Sequence, residues 1–302
     1  MTRHPVAFFI FNRPKETEVV FEQIRQAKPP ILLLVADGPR SEYQDEEKNC
    51  SDVRKIVRQI DWDCQVMTHY SKTNMGCKLR VSSGLDWVFS QVEDAIILED
   101  DCVPHPSFFE FCDRLLEKYK DDDRIFSISG TTFQPNSRQD INSYYFSKYP
   151  HIWGWATWRR AWKFYDVEIK SWEKIRNEGN LKSIISEKQV RAYWNRKFNQ
   201  LYQNKIDTWD FQWTFSSFIQ NGLHIIPNQN LVSNIGFGDD ATHTKKNGKL
   251  SKRKTYKMEF PMIHPDVMLR DFNADRFTES YVYQCQLYRR VWNLILRVLS
   301  LG

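Results

Sequence analysis

The chain has 302 residues, of which 41% are hydrophobic and 27% charged, with a formal charge of +5. A chain of that make-up can bury a sizeable core, which excludes a disordered or low-complexity protein. Aromatic residues reach 15%, including 11 Trp, an excess that suits surfaces apolar on one side and polar on the other; sugar binding and nucleic-acid stacking both fit it.

The first third alternates short apolar runs with amphipathic segments. Residues 6–11 form an apolar run, and 15–26 follow with helical spacing at Val19, Val20 and Ile24. A second run, 31–36, ends in the turn signal Asp37-Gly38-Pro39, and a helical face follows at Val53, Ile56, Val57 and Ile60. A third, weaker strand spans 65–70, with a helix over 79–90. The fourth run, 95–98, precedes a helix over 106–119. Continuous apolar runs separated by helices predict a parallel sheet covered on both faces. Ligands of such sheets bind beyond the carboxyl ends of the strands. Asn12-Arg13-Pro14, Asp37-Gly38, Asn74-Met75-Gly76 and Glu99-Asp100-Asp101 stand at those positions, so one edge gathers four polar clusters.

Beyond about residue 120 the alternation weakens. Strands are predicted over 125–129, 144–146, 223–226 and 231–233, and helices over 187–205 and 210–221, the latter capped by Asp210 or Thr208. An aromatic stretch runs from Trp153 to Trp162, and 278–299 reads as a basic amphipathic helix. With no internal repeat and no low-complexity linker, a single domain with two functional halves is expected: residues 1–120, residues 121–265, and a C-terminal helix in 266–302.

Six cysteines occur without a CxxC pair or clustered His partners, which argues against a zinc module and a disulfide framework. No apolar run approaches bilayer length, and the first residues run straight into a strand, so a cytoplasmic protein without a signal peptide is expected. Residues 244–257 carry seven Lys or Arg and no acid. They predict a solvated loop, or attraction to an anionic substrate or membrane surface.

Adjacent carboxylates at the end of a buried strand repel one another and are partly desolvated. A divalent cation removes that cost, and Mg2+ or Mn2+ prefers oxygen ligands shared with phosphates and water. The bland reading is an acidic turn at the N-terminus of the helix near Pro106.

The strand ending in Glu99-Asp100-Asp101, followed by Pro106 and Phe108-Phe109, resembles GT-A glycosyltransferases, both the N-acetylglucosaminyltransferase I-like enzymes and bacterial family 2-type members. Phe11-Asn12-Arg13-Pro14, Ala36-Asp37-Gly38, Asn74-Met75-Gly76, Trp153-Gly154-Trp155-Ala156-Thr157-Trp158 and the segment from Asn234 to Thr244 are similar in the same order. The resemblance implies a GT-A, Rossmann-like fold: a mixed, mostly parallel sheet flanked by helices, here with a C-terminal helical extension. It implies a metal-dependent inverting hexosyltransferase that moves a sugar from a nucleotide-diphosphate donor, by default a UDP-sugar, to a glycan or lipid-linked acceptor. Residues 1–120 would bind the nucleotide and 121–265 the acceptor.

Carried onto this chain, Asp37 would contact the base with Arg13 and Asn12 near it, and Asn74 and Arg80 would border the nucleotide. Asp100 and Glu99 would hold ribose or donor sugar, and Asp101 would ligate the metal. Asp210, at a helix start between Trp209 and Trp213, would be the general base; a carboxylate there stays ionised and needs an acceptor hydroxyl within about 3 Å. His243 is a candidate second metal ligand, since neutral imidazole suits Mn2+. Gly236 and Gly238 with Lys245, Lys246 and Lys249 suggest a lid over a diphosphate. Trp153, Trp155 and Trp209 are candidates for stacking on sugar rings, with core packing the plain alternative. The C-terminal helix either packs on the protein or lies on an anionic membrane as a peripheral contact.

A nucleic-acid-binding protein would share the aromatics and the positive charge but not the carboxylates at the ligand edge, so no nucleic-acid partner is expected. A non-catalytic carbohydrate-binding module would not need the clusters of the first half. A sugar-nucleotide pyrophosphorylase is the nearer alternative. It needs the same metal and nucleotide but usually has a Gly-rich loop after the first strand, where this chain has Phe11-Asn12-Arg13-Pro14-Lys15.

Overall fold

The apolar runs of the first third become strands buried on both faces: β1 (Val6–Ile10), β2 (Ile31–Ala36) and β4 (Asp94–Glu99), with the more exposed β3 (Gln65–Tyr70) at the sheet edge. The computed structural model describes residues 1–135, 141–236, 250 and 252–285. Helices α1 (Pro14–Ala27), α2 (Glu46–Ile56) and α3 (Gly76–Gln91) link these strands, and α4 (Ser107–Lys118) follows the short β5 (Cys102–Pro104). Pro14 opens α1 where a missing N–H costs nothing.

The second half adds β6 (Ile125–Ser129), β7 (Tyr144–Ser147) and β8 (Trp155–Trp158), then the short helices α5 (Arg159–Trp162), α6 (Trp172–Asn177) and α7 (Leu181–Ile184). Two longer helices follow, α8 (Lys188–Tyr202) and α9 (Asp210–Ile219), then β9 (Leu223–Pro227), β10 (Val232–Asn234) and α10 (Phe272–Tyr281). Of the C-terminal helix expected over 278–299, residues 278–281 are helical as the end of α10, and 282–285 are not. Most of the span assigned to it, from residue 286 on, lies outside the described residues.

The main sheet has eight strands in the order β3-β2-β1-β4-β8-β6-β9-β7, and β5 pairs with β10 in a separate ribbon. Strands β3, β2, β1 and β4 are mutually parallel; β8 is antiparallel to both neighbours, β9 runs parallel to β6, and β7 is antiparallel to β9. This is the expected Rossmann-like architecture, a mixed, mostly parallel sheet flanked by helices. Side chains alternate between its faces with period two. Phe8, Leu34, Leu98, Ile128 and Phe146 pack with α1 and α4 on one side; Phe9, Val35, Ile97 and Trp155 pack with α3 and α5 on the other. A third core joins Trp172, Trp194, Phe198, Phe215 and Phe218 from α6, α8 and α9. Among the described residues no helix is long and apolar enough to cross a membrane.

Candidate active site

The strand order reverses between β1 and β4, since β1 leads through α1 to β2 on one side while β4 lies on the other. At such a reversal the connections diverge and leave a crevice beyond the carboxyl ends of the strands. A cleft of about 550 Å3 opens there, lined by Arg13, Asp37, Asn74, Arg80, Glu99, Asp100, Asp101, Trp153, Trp209 and Asp210 among others. The polar clusters that follow β1, β2, β3 and β4 therefore do reach one cleft. Asn12 does not line it: its amide donates to Glu46 Oε1 at 2.8 Å.

Arg13 is the hub of the carboxylate cluster. Its Nη1 donates to Asp101 Oδ2 at 2.9 Å, and its Nη2 pairs with Asp100, whose carboxylate is 4% exposed. Burial works against the charge on Arg13, but Asp100 and Asp101 outweigh it and hold the guanidinium protonated. Asp100 is nonetheless pushed up to about 6, by burial first, against the pull of Arg13. Glu99 makes no hydrogen bond to a described residue, and burial, then Asp101 and Asp100, push it up to about 8.

The ribbon of β10 on β5 closes over this cluster. Ile235 N donates to the carbonyl of Asp101 at 2.8 Å, and Asn234 Nδ2 donates to its Oδ1 at 3.2 Å. A side chain at Gly236 would put its Cβ 2.1 Å from Asp101 Oδ2 and 2.6 Å from Arg13 Nη1, so it would displace the ion pair. The expected role of Gly236 as a hinge thus gives way to close packing on an ion pair. His243, Gly238, Lys245, Lys246 and Lys249 lie outside the described residues, as does most of the predicted lid.

The metal expectation is met in its donor chemistry and not in its arrangement. The cluster offers only hard oxygen donors, and the Glu99 carboxyl makes no hydrogen bond to a described residue, which suits Mg2+ or Mn2+. Among the described residues, however, no group of three His, Cys, Asp or Glu is gathered to hold an ion, and Arg13 binds both Asp100 and Asp101.

Asp37 has a different job from the base contact expected of it. Its carboxylate, on a residue 6% exposed, accepts from Gly38 N at 2.8 Å, Met75 N at 2.9 Å and Gly76 N at 3.2 Å. It thereby clamps the start of α3 onto the end of β2, although burial still raises its pKa. Asn74 completes the clamp, donating to the Gly38 carbonyl at 3.0 Å and accepting from Gly76 N at 3.2 Å. Asp207 accepts from Lys78 N at 3.1 Å, so protein carboxylates already satisfy the amino end of α3. Arg80 donates through Nη2 to the His69 carbonyl at 2.9 Å, and burial lowers its pKa.

Asp210 opens α9, but neither it nor Thr208 caps the helix as expected. The N-cap position falls on Trp209 with no side-chain cap, and Thr208 donates its hydroxyl to the Asp210 carboxylate. Trp155 is 1% exposed and stacked on Trp209 with ring centroids 5.6 Å apart, and Trp209 is 2% exposed. These two rings are core, with Trp209 forming a wall of the cleft; the sugar-stacking role assigned to Trp155 is corrected on that ground. Trp153 is the half-buried ring of the three, edge-on to Phe133 at 5.3 Å, and it lines the cleft.

Sequence reasoning missed Arg40, Asn234 and the closeness of Gly236. Arg40 follows the Asp37-Gly38-Pro39 turn and was reachable from the strand-end argument. The other two needed the β5–β10 pairing, which no short polar tripeptide announces.

No protein-family model and no curated protein matches the sequence. Solved structures are similar to it at low identity and low TM-score. A 4-diphosphocytidyl-2C-methyl-D-erythritol synthase from Anaerococcus prevotii DSM 20548 is 10% identical with a TM-score of 0.38, covering 93% of this chain and 99% of that one. A UDP-glucose pyrophosphorylase complexed with UDP-glucose is 13% identical with a TM-score of 0.26, covering 48% and 63%. HddC from Yersinia pseudotuberculosis is 9% identical with a TM-score of 0.33, covering 52% and 77%. None of the three is described as a glycosyltransferase, and two are described as a synthase of a diphosphocytidyl compound and a pyrophosphorylase. The glycosyltransferase assignment, with its hexosyltransferase class, finds no counterpart among these three structures, and neither the GT-A label nor manganese gains support. The pyrophosphorylase alternative takes its place below.

Proposed function

We propose that the chain is a nucleotidyltransferase of the sugar-nucleotide pyrophosphorylase kind, making or breaking a sugar nucleotide at its α-phosphate. The observation that carries this reading is the cleft at the strand-order reversal, with Arg13 and a run of three carboxylates on its floor. Nucleotides bind at such reversals.

In the forward direction a phosphate oxygen of a sugar 1-phosphate attacks the α-phosphorus of a nucleoside triphosphate. A new P–O bond forms, and the bond to the departing pyrophosphate breaks. A sugar phosphate is already ionised, so this reaction needs no general base. Asp210 is then a positioning residue, accepting hydrogen bonds from sugar hydroxyls at the acceptor end of the cleft beside Trp153. Residues 1–120 hold the nucleotide and 121–265 the sugar phosphate, with Arg80, Asn74 and Asp37 shaping the nucleotide wall and Asn12 bracing it from outside.

The chain has no glycine between β1 and α1 to bring backbone N–H groups to a phosphate. The donors of Arg13 not spent on Asp100 and Asp101 do that work instead, bidentate guanidinium being suited to phosphate oxygens. Asp101 and Glu99 are the residues that would hold Mg2+ or Mn2+, which when bound offsets the negative charge of the diphosphate.

The test is pyrophosphorolysis. UDP-, CDP-, GDP- and ADP-sugars are incubated with pyrophosphate and Mg2+, and nucleoside triphosphate is measured with sugar 1-phosphate. Equal yields of both from at least one donor are expected. A donor that raises the melting temperature yet yields neither product would sink the transfer step while leaving the nucleotide site standing.

A further inference from the structure

Most polar groups on the nucleotide side of the cleft are already engaged by the protein. Asp37 accepts three backbone N–H groups, Asn74 bonds to the backbone through both amide atoms, and Arg80 Nη2 bonds to His69. Arg54 Nη2 is likewise spent, on the carbonyls of Asp37 and Ser71 at 2.9 and 3.0 Å.

Arg40 differs. Its Nε donates to Glu46 Oε2 at 3.0 Å, its Nη2 to Glu46 Oε1, and its own backbone N to Glu46 Oε2 at 2.6 Å. Glu46 is 3% exposed and is held in turn by Asn12. The guanidinium lies 3.8 Å from the ring centre of Tyr43 and 5.6 Å from that of Phe11. Clamped on one edge and stacked on a ring, it lines the cleft with Nη1 making no hydrogen bond to a described residue. A donor fixed before the ligand arrives loses little entropy on binding. Phe11, lining the cleft beside it, offers a flat apolar surface of the kind on which nucleobases stack.

We infer that Arg40 reads the nucleobase. A base lies against Phe11, and Arg40 Nη1 donates to a carbonyl oxygen on its edge, favouring uracil, cytosine or guanine over adenine, which has no carbonyl. This inference rests on the nucleotide-binding reading above and names the residue that sets its base preference.

The experiment is a calorimetric titration of the full chain with UDP, GDP, ADP and ribose 5-diphosphate, which has no base. Wild type should bind UDP or GDP about tenfold more tightly than ADP, the effect of one hydrogen bond to a charged donor. Arg40→Gln should remove that margin and leave ADP and ribose 5-diphosphate within about twofold of wild type. If Arg40 instead grips phosphate, the variant weakens all four ligands alike, and the inference is overturned. It is equally overturned if the variant changes nothing, or if wild type binds ADP as tightly as UDP and GDP. Should Arg40→Gln fail to fold, Glu46→Gln keeps the guanidinium but loosens its clamp. A smaller loss confined to UDP and GDP then supports the inference, and an unselective loss or none overturns it. Wild type that binds none of the four removes the nucleotide site itself and the inference with it.

Discussion

The two halves of the main sheet are built on different principles. In β3-β2-β1-β4 the strands are parallel, and polar residues at their ends such as Asp37 and Arg13 are bound to the start of α3 and to Asp100. In β8-β6-β9-β7 the core is aromatic and carries ring nitrogens without partners: Nε1 of Trp155 and Trp213, and Nε2 of His151 and His224. The first half contributes Asp37, Asn74, Arg80 and Arg13 to the cleft, and the second contributes Trp153, Trp209 and Asp210.

The largest effect that divides the halves should come from the tryptophans flanking Gly154. Trp155→Ala removes a ring 1% exposed between Trp162, Trp209 and Trp213 and should cost about 3–5 kcal/mol of folding stability. Trp153→Ala, at the cleft, should cost about 1 kcal/mol or less and raise KM for the sugar phosphate. Urea unfolding measures the first and product formation the second. A stable Trp155→Ala protein that merely loses acceptor binding would put Trp155 in the site and break the contrast.

The coupling of Arg13 to Asp100 sharpens the other side of the comparison. Asp100 is 3% exposed, so Arg13→Met strands a carboxylate and should cost about 2–3 kcal/mol, with Asp100→Asn alone costing somewhat less. The double variant should recover part of the loss, leaving a coupling energy of about 1–2 kcal/mol in the cycle. Additive losses would mean that Arg13 and Asp100 act separately, and that the acids do not need a resident cation.

The parallel half was legible because its signals are local. Continuous apolar runs at 6–10, 31–36 and 95–98 admit few other structures, and the residues after them had to face one edge. What those residues do was not legible. Asp37 and Asp207 are bonded to backbone atoms brought close only by the β2–β3 pairing and the turn at 204–209, and Arg13 meets Asp100 across 87 positions. In the mixed half β6, β7, β9 and β10 fall where strands were expected, and β8 does not. Trp155–Trp158 reads as an aromatic cluster, and only pairing with β4 and β6 on both sides shows why a strand so aromatic is fully buried. Trp invites a ligand because its N–H wants a partner; here the core tolerates it unpaired, a cost no sequence pattern displays.

That tolerance should leave a trace in the pH dependence of stability, the smallest effect of the set. His224 is fully buried; its Nδ1 contacts Ser127 Oγ at 2.7 Å, its ring faces Trp213, and burial, then His151, lowers its pKa to about 3. The folded chain therefore keeps it neutral where the unfolded chain, near pKa 6.5, takes up a proton. Its contribution is fully present above about pH 6.5 and is lost as pH falls towards 3, at up to about 1.4 kcal/mol per pH unit. Glu99, Asp100 and Asp275 act in the opposite sense, because burial raises their pKa values and the folded state holds their protons more tightly. The informative quantity is thus the difference between variants. His224→Gln, which can keep the bond to Ser127, should be less stable than wild type at pH 7.5, and the gap should narrow by about 2–4 °C in Tm by pH 5.5. A gap constant with pH would mean that His224 is hydrated or protonated inside the fold.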